Sequence, residues 1–129
     1  MTVQSALIVD DDETSRAQAH AILMSLGIAD ISIAENGKQA AETLNGSPHP
    51  DLILCDIIMP ERDGIELVGD LVKVAFAGGL ILMSSKGAQF MDLTKLIASR
   101  KKLNLWATLN KPLDATEVAS AIANGLAKG

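Results

Sequence analysis

Tyrosine is absent from this 129-residue chain, and Phe76, Phe90 and Trp106 are its only aromatics. Platforms that stack single-stranded nucleic acid are built from such rings, so the composition argues against that class. Cysteine occurs once, at Cys55, which excludes an internal disulfide and a cysteine-rich zinc site. Cys55 lies inside an apolar run, where a small buried hydrophobe in a reducing compartment is expected. Basic residues are the minority, 11 against 16 acidic for a net charge of −5. Phosphate contacts need clustered cations, so direct nucleic-acid binding is not expected. The one basic cluster, Arg100-Lys101-Lys102, reads as the exposed end of a helix. The two histidines, His20 and His49, have no ligand partner at suitable spacing and read as surface residues. No signal-like apolar start is visible, and the longest apolar runs are too short to cross a bilayer. A soluble cytoplasmic protein with no membrane partner is the expectation.

What the chain does have is aliphatic residues, which dominate its 48% hydrophobic content. A core of Leu, Ile, Val, Ala and Met with few rings suits a sheet packed between helices. The length allows a single domain, residues 1–129, able to bury roughly two thirds of its unfolded surface.

Hydrophobic period alternates along the chain. Val3–Val9 reads as a strand and Thr14–Leu26 as a helix with Ala19, Ile22, Leu23 and Leu26 inward and Gly27 as its stop. Asp30–Ala34 alternates, as in a strand exposed on one face. Asn36-Gly37 is a turn before a short helix over Lys38–Leu44, and a Gly/Pro-rich loop follows. Asp51–Asp56 is a continuous apolar strand, the kind buried on both faces. After a loop over Met59–Gly64, Ile65–Phe76 reads as a helix ended by Gly78-Gly79. Leu80–Ser84 is another buried strand, Phe90–Lys101 a helix with Leu93, Leu96 and Ile97 inward, and Leu105–Asn110 the last strand. Asp114 caps a final helix with Val118, Ala121, Ile122 and Leu126 on one side. Five βα units in succession imply an α/β fold with a parallel sheet and helices on both faces. Functional groups in such sheets gather at the carboxyl ends of strands.

Polar groups stand at those ends. Leu7-Ile8-Val9 runs into Asp10-Asp11-Asp12, Leu52–Cys55 into Asp56, Leu80–Met83 into Ser84, and the last strand into Lys111-Pro112. Helix capping accounts for an Asp at position 12 but not for Asp10 and Asp11. Carboxylates about 4 Å apart repel by as much as ~4 kcal/mol at an effective dielectric near 20, so such a cluster calls for a cation or a raised pKa. Asp56 has no packing reason to end a doubly buried strand. A hard cation such as Mg²⁺ takes oxygen ligands and keeps several waters. Asp11 and Asp56 offer carboxylates, the Ile58 backbone carbonyl a third oxygen, and Asp10 a contact through water. Ser84 can donate to one phosphoryl oxygen, and Lys111 can hold another as a point charge. The X-Pro bond after Lys111 is a candidate for cis geometry.

With these residues in view, the chain resembles the receiver domain of two-component response regulators over essentially its whole length. The carrying motifs are Leu7–Asp12, Leu54-Cys55-Asp56-Ile57-Ile58-Met59-Pro60 with Asp63-Gly64, Leu82–Ser85 and Lys111-Pro112-Leu113. The resemblance implies a flavodoxin-like doubly wound (βα)5 fold with a five-stranded parallel sheet of order 2-1-3-4-5. It implies Asp56 as phosphoacceptor, Asp10 and Asp11 as the acidic metal pair for Mg²⁺ (or Mn²⁺), Ser84 as the switch hydroxyl and Lys111 as the phosphate-pairing lysine. The implied partners are a histidine kinase or phosphotransfer protein upstream and a downstream protein or fused output domain, with a phosphorylation-dependent dimer as one mode of output. The implied catalysis is confined to phosphotransfer onto Asp56 and slow dephosphorylation, with no free substrate turned over.

Thr108 departs from the family pattern, because many receivers carry an aromatic switch residue three positions before the lysine. Trp106 falls on the same side of the strand as Thr108 by simple alternation and is the candidate substitute. Ile58 and Lys86 occupy positions the family uses to tune hydrolysis. Two alternatives stand beside this reading. A receiver-like interaction module would keep the fold without accepting phosphate. A haloacid-dehalogenase-like phosphatase would use Asp10 as its nucleophile, since Asp10-Asp11-Asp12-Glu13-Thr14 also fits its Asp-x-Asp-x-Thr loop; it would leave the motif from Asp56 to Gly64 unexplained.

Overall fold

Five strands alternate with helices, as the hydrophobic pattern requires. The computed structural model describes residues 2–46, 48–58, 64–84, 92, 97 and 102–128. The strands are β1 (Ser5–Val9), β2 (Asp30–Ala34), β3 (Leu52–Asp56), β4 (Gly79–Ser84) and β5 (Asn104–Asn110). Between them run helices α1 (Glu13–Ser25), α2 (Gly37–Asn45) and α3 (Gly64–Lys73), and the chain closes with α4 (Ala115–Lys128). All strand pairs are parallel, in the order β2-β1-β3-β4-β5. The flavodoxin-like order is therefore observed. The expected loop over Met59–Gly64 apart from Gly64, which begins α3, the stretch from Ser85 and Lys86, and most of the helix expected over Phe90–Lys101, including Leu93 and Leu96, lie outside the described residues. Within that helix, Asp92 and Ile97 are helical.

The sheet separates two apolar layers. Leu7, Val9, Ile53, Cys55, Leu80 and Leu82 face α2 and α3 and meet Leu44, Leu67 and Leu71, with Ile97 packed against them. Ala6, Ile8, Leu52, Leu54, Ile81 and Met83 face α1 and α4 and meet Ala19, Leu23 and Val118. Every residue of β3 and β4 is buried, as continuous apolar runs require of central strands. β2 is an edge strand and is buried only at Ala34, so Ile33 is exposed despite its apolar character.

Helix ends explain the remaining differences from the sequence pattern. Asp12 caps α1 by accepting from the Ser15 amide, and Asn36 caps α2 by accepting from the Gln39 amide. Gly27, at φ +87°, stops α1 as expected, with its amide on the Met24 carbonyl and the Ile28 amide on that of Leu23. Those two bonds form a Schellman motif, with Ile28 and Leu23 buried together. Leu26 sits in that turn and is exposed, not inward as its spacing predicts. α3 ends by the same motif three residues before the expected Phe76. Ala75, at φ +55°, takes the left-handed position, and the Ala75 and Phe76 amides bond to Val72 and Leu71. Phe76 then packs beside Leu71. Gly78 and Gly79 serve close packing instead, since a side chain there would overlap the Asp51 backbone or the Trp106 indole.

β5 carries an irregularity. Leu80 pairs with Leu105 but Ile81 with Ala107, so Trp106 is an extra residue in the ladder. This bulge puts Trp106 and Ala107 in the same apolar layer as Leu109, against α1 and α4. Thr108 pairs with Leu82, whose side chain lies in the opposite layer. The expectation that Trp106 and Thr108 share a side is corrected: the added residue inverts the alternation.

Candidate functional site

Three strands each bring a charged group to the carboxyl edge of the sheet, β1 and β3 as neighbours and β5 one strand further across, beyond β4. β1 delivers Asp10, whose amide continues the ladder by donating to the Ala34 carbonyl. β3 ends at Asp56, and β5 hands over to Lys111, whose amide donates to the Ser84 carbonyl at 2.9 Å. The three converge at the Lys111 ammonium. Its Nζ lies 2.6 Å from Asp10 Oδ2 and 2.7 Å from Asp56 Oδ2. All three side chains are at least nine-tenths buried, Asp10 wholly so.

The remaining oxygens are held by backbone. Asp10 Oδ1 accepts from the Asp12 amide and Asp56 Oδ1 from the Ile58 amide. Both are tight Asx turns that also set the direction of the following loop. Asp10 Oδ2 has the ammonium as its ion partner, yet it accepts no aligned hydrogen bond. Asp11 is exposed beside this pair, and carboxylate oxygens of Asp10, Asp11 and Asp56 all lie within 4.8 Å of one another. Mg²⁺ binds oxygens at about 2.1 Å, which puts opposite ligands about 4.2 Å apart. The carboxylate set, with a buried Asp10 oxygen lacking an aligned donor, fits a hard divalent cation.

Electrostatics follow from burial. Desolvation pushes the Asp56 carboxyl above the usual range, while Lys111 and the Ile58 amide pull in the other direction. Burial presses the Lys111 ammonium toward neutrality, but its close contacts with the Asp10 and Asp56 carboxylates outweigh that and raise its pKa. The ammonium stays protonated, because one cation between two buried carboxylates has no cheaper charge state. Ser84 is buried at the end of β4, one residue beyond Met83, the register partner of Asp56. The Lys111-Pro112 bond is cis. Ile58, two residues after Asp56, exposes 46% of its surface, so its side chain faces solvent and not the core.

The sequence-predicted residues Asp10, Asp11, Asp56 and Lys111 are thus brought together, and Ser84 ends the neighbouring strand. Position 12 is explained by capping, as expected. Sequence reasoning missed Arg16, whose guanidinium donates to the Asp10 carbonyl at 3.0 Å. Its signal was position alone, one turn into the helix after the acidic run. A groove of about 610 Å³ at the opposite, amino-terminal edge is lined by His49, Asp51, Asn104 and Trp106 among others. Three of the polar side chains there are engaged with backbone: His49 with Leu44, Asp51 with Gln4 and Asn104 with Ala77.

A sequence profile of the response regulator receiver domain matches residues 6–123. The chain belongs to that family. Its similarity to chemotaxis protein CheY of Bacillus subtilis is 34% identity over 90% of this chain and 92% of that protein. With CheY of Halobacterium salinarum it shares 35% over 95% of this chain and 97% of the other. Among solved structures, the CheX–CheY–BeF3–Mg complex from Borrelia burgdorferi is similar with a TM-score of 0.80 at 28% identity, covering 95% of this chain and 88% of that one. This receiver domain has the flavodoxin-like sheet order described above.

Proposed function

We propose that this receiver domain takes a phosphoryl group from a histidine kinase or phosphotransfer protein onto Asp56. The observation that carries the reading is the convergence of Lys111 with Asp10 and Asp56 at 2.6 and 2.7 Å, reached from three separate strand ends. Of the two buried aspartates, Asp56 retains some exposed surface, while Asp10 is sealed. That contrast favours Asp56 as the nucleophile over the phosphatase alternative that would use Asp10.

An oxygen of Asp56 attacks phosphorus in line; the phosphorus–oxygen bond forms as the phosphorus–nitrogen bond to the donor imidazole breaks. Lys111 keeps Asp56 ionised before transfer and pairs with a phosphoryl oxygen after it. The Ile58 amide orients the attacking carboxylate through Oδ1. Ser84 donates its hydroxyl to another phosphoryl oxygen. Asp10, Asp11, Asp56 and the Ile58 carbonyl would hold Mg²⁺ or Mn²⁺, which supplies charge neutralisation at the transferring group. Movement of Ser84 toward the new group then shifts the loop populations read by a downstream protein or fused output domain. A shift from mostly off to mostly on needs about 5 kcal/mol of differential interaction.

Intact-mass measurement after acetyl phosphate and Mg²⁺ treatment tests this. Wild type gains one phosphoryl group, Asp56→Asn gains none, and Asp10→Asn gains it slowly. Wild type that binds Mg²⁺ yet gains no mass would be an interaction module that does not accept phosphate. A gain that survives in Asp56→Asn would place the acceptor elsewhere.

A further inference from the structure

Arg16 is four residues into the α1 region counted from its cap Asp12, and its own amide donates to the Asp12 carbonyl. Helical side chains lean toward the amino terminus, which carries the guanidinium back over the β1–α1 turn. There Nη1 donates to the Asp10 carbonyl at 3.0 Å, and the side chain is only 16% exposed. Nη2 lies 4.0 Å from the well-exposed Glu35 carboxylate, a contact too loose and too wet to explain burying a cation.

With this bond every polar group of Asp10 has a fixed neighbour. The amide is tied to Ala34, Oδ1 to Asp12, Oδ2 faces Lys111, and the carbonyl is tied to Arg16. The carbonyl bond fixes the plane of the Asp10–Asp11 peptide, and that plane sets where the exposed Asp11 carboxylate projects.

We propose that Arg16 is a positioning residue for the acidic cup: by clamping the Asp10–Asp11 peptide it aims Asp11 at the divalent cation. The inference rests on the proposed cation site. It makes a prediction of sign that charge alone reverses. A cation near a cation site weakens metal binding by repulsion, so its removal by itself would tighten binding. Loss of an orienting partner weakens binding, typically tenfold or more.

The test compares wild type, Arg16→Met and Arg16→Lys. Met keeps the aliphatic stem without a donor; Lys keeps a cation and a donor. Mg²⁺ affinity is measured by calorimetry, and amide hydrogen exchange at Asp11 and Asp12 is measured without metal. Arg16→Met is expected to bind Mg²⁺ roughly tenfold more weakly, with faster exchange at Asp11 and Asp12 and unchanged protection in β3. Arg16→Lys is expected to recover part of both. Equal or tighter Mg²⁺ binding by a folded Arg16→Met overturns the proposal, as does unchanged exchange. If Arg16→Met does not fold, the Lys variant decides it: wild-type affinity with faster exchange at Asp11 counts against the clamp, and reduced affinity supports it. Wild type that binds no Mg²⁺ would sink the cation site itself, and the exchange comparison would still decide the clamp.

Discussion

Among the described residues, Lys111 is the cation that pairs with both buried carboxylates, so its removal takes that partner from each. Breaking a buried charge pair by deleting one partner costs about 3–5 kcal/mol. Lys111→Met is therefore expected to lower metal-free stability by about 3 kcal/mol, with a large part recovered in Mg²⁺. Urea unfolding with and without Mg²⁺ checks this; an unchanged midpoint would mean that Asp10 and Asp56 are neutralised by other means. Asp12 acts differently because it is exposed. Its pKa is held below the ordinary 3.8, first by the Ser15 amide it caps. A lowered folded pKa adds stability that is present above the ordinary value and lost as pH falls through the folded one. Asp12→Ala should accordingly lose less stability than wild type between about pH 6 and about pH 2, read as a shallower acid limb in thermal melts. Parallel limbs would show that the cap is not coupled to folding.

Elements end where backbone geometry lets them. Ala75 in the left-handed region closes α3, and a Cβ there costs roughly 1 kcal/mol relative to glycine. Ala75→Gly is expected to raise stability by up to about 1 kcal/mol, less what glycine's freedom in the unfolded chain takes back. A fall in the denaturation midpoint would mean that the Ala75 methyl is packed and not strained. The sequence marked Gly27 as a stop because glycine is the usual left-handed residue. It could not mark Ala75, which breaks that preference and relies on Phe76 seating beside Leu71. The β5 bulge was equally hidden. Alternation predicts one face for Trp106 and Thr108, and the extra residue is visible only against the β4 register.

At the scale of the whole molecule, two apolar layers share one sheet, and Ile53 and Leu54 point from the same strand into opposite layers. The layers should unfold as one unit. Ile53→Ala and Leu54→Ala are each expected to cost about 2–5 kcal/mol. In both variants the transition followed by Trp106 fluorescence, which reports the α1/α4 layer, should coincide with that followed by far-ultraviolet circular dichroism. Separate transitions would mean that the layers unfold independently. The amino-acid sequence by itself determined the βα alternation, the doubly buried central strands and the polar residues waiting at four of the strand ends, because period and burial are local properties of a run. Tertiary structure alone decided that Asp10 and Asp56 share the Lys111 ammonium, that Arg16 closes on the Asp10 carbonyl, and that Trp106 crosses to the α1/α4 layer. Those outcomes depend on which strand ends lie side by side and in what register, and no single segment carries that information.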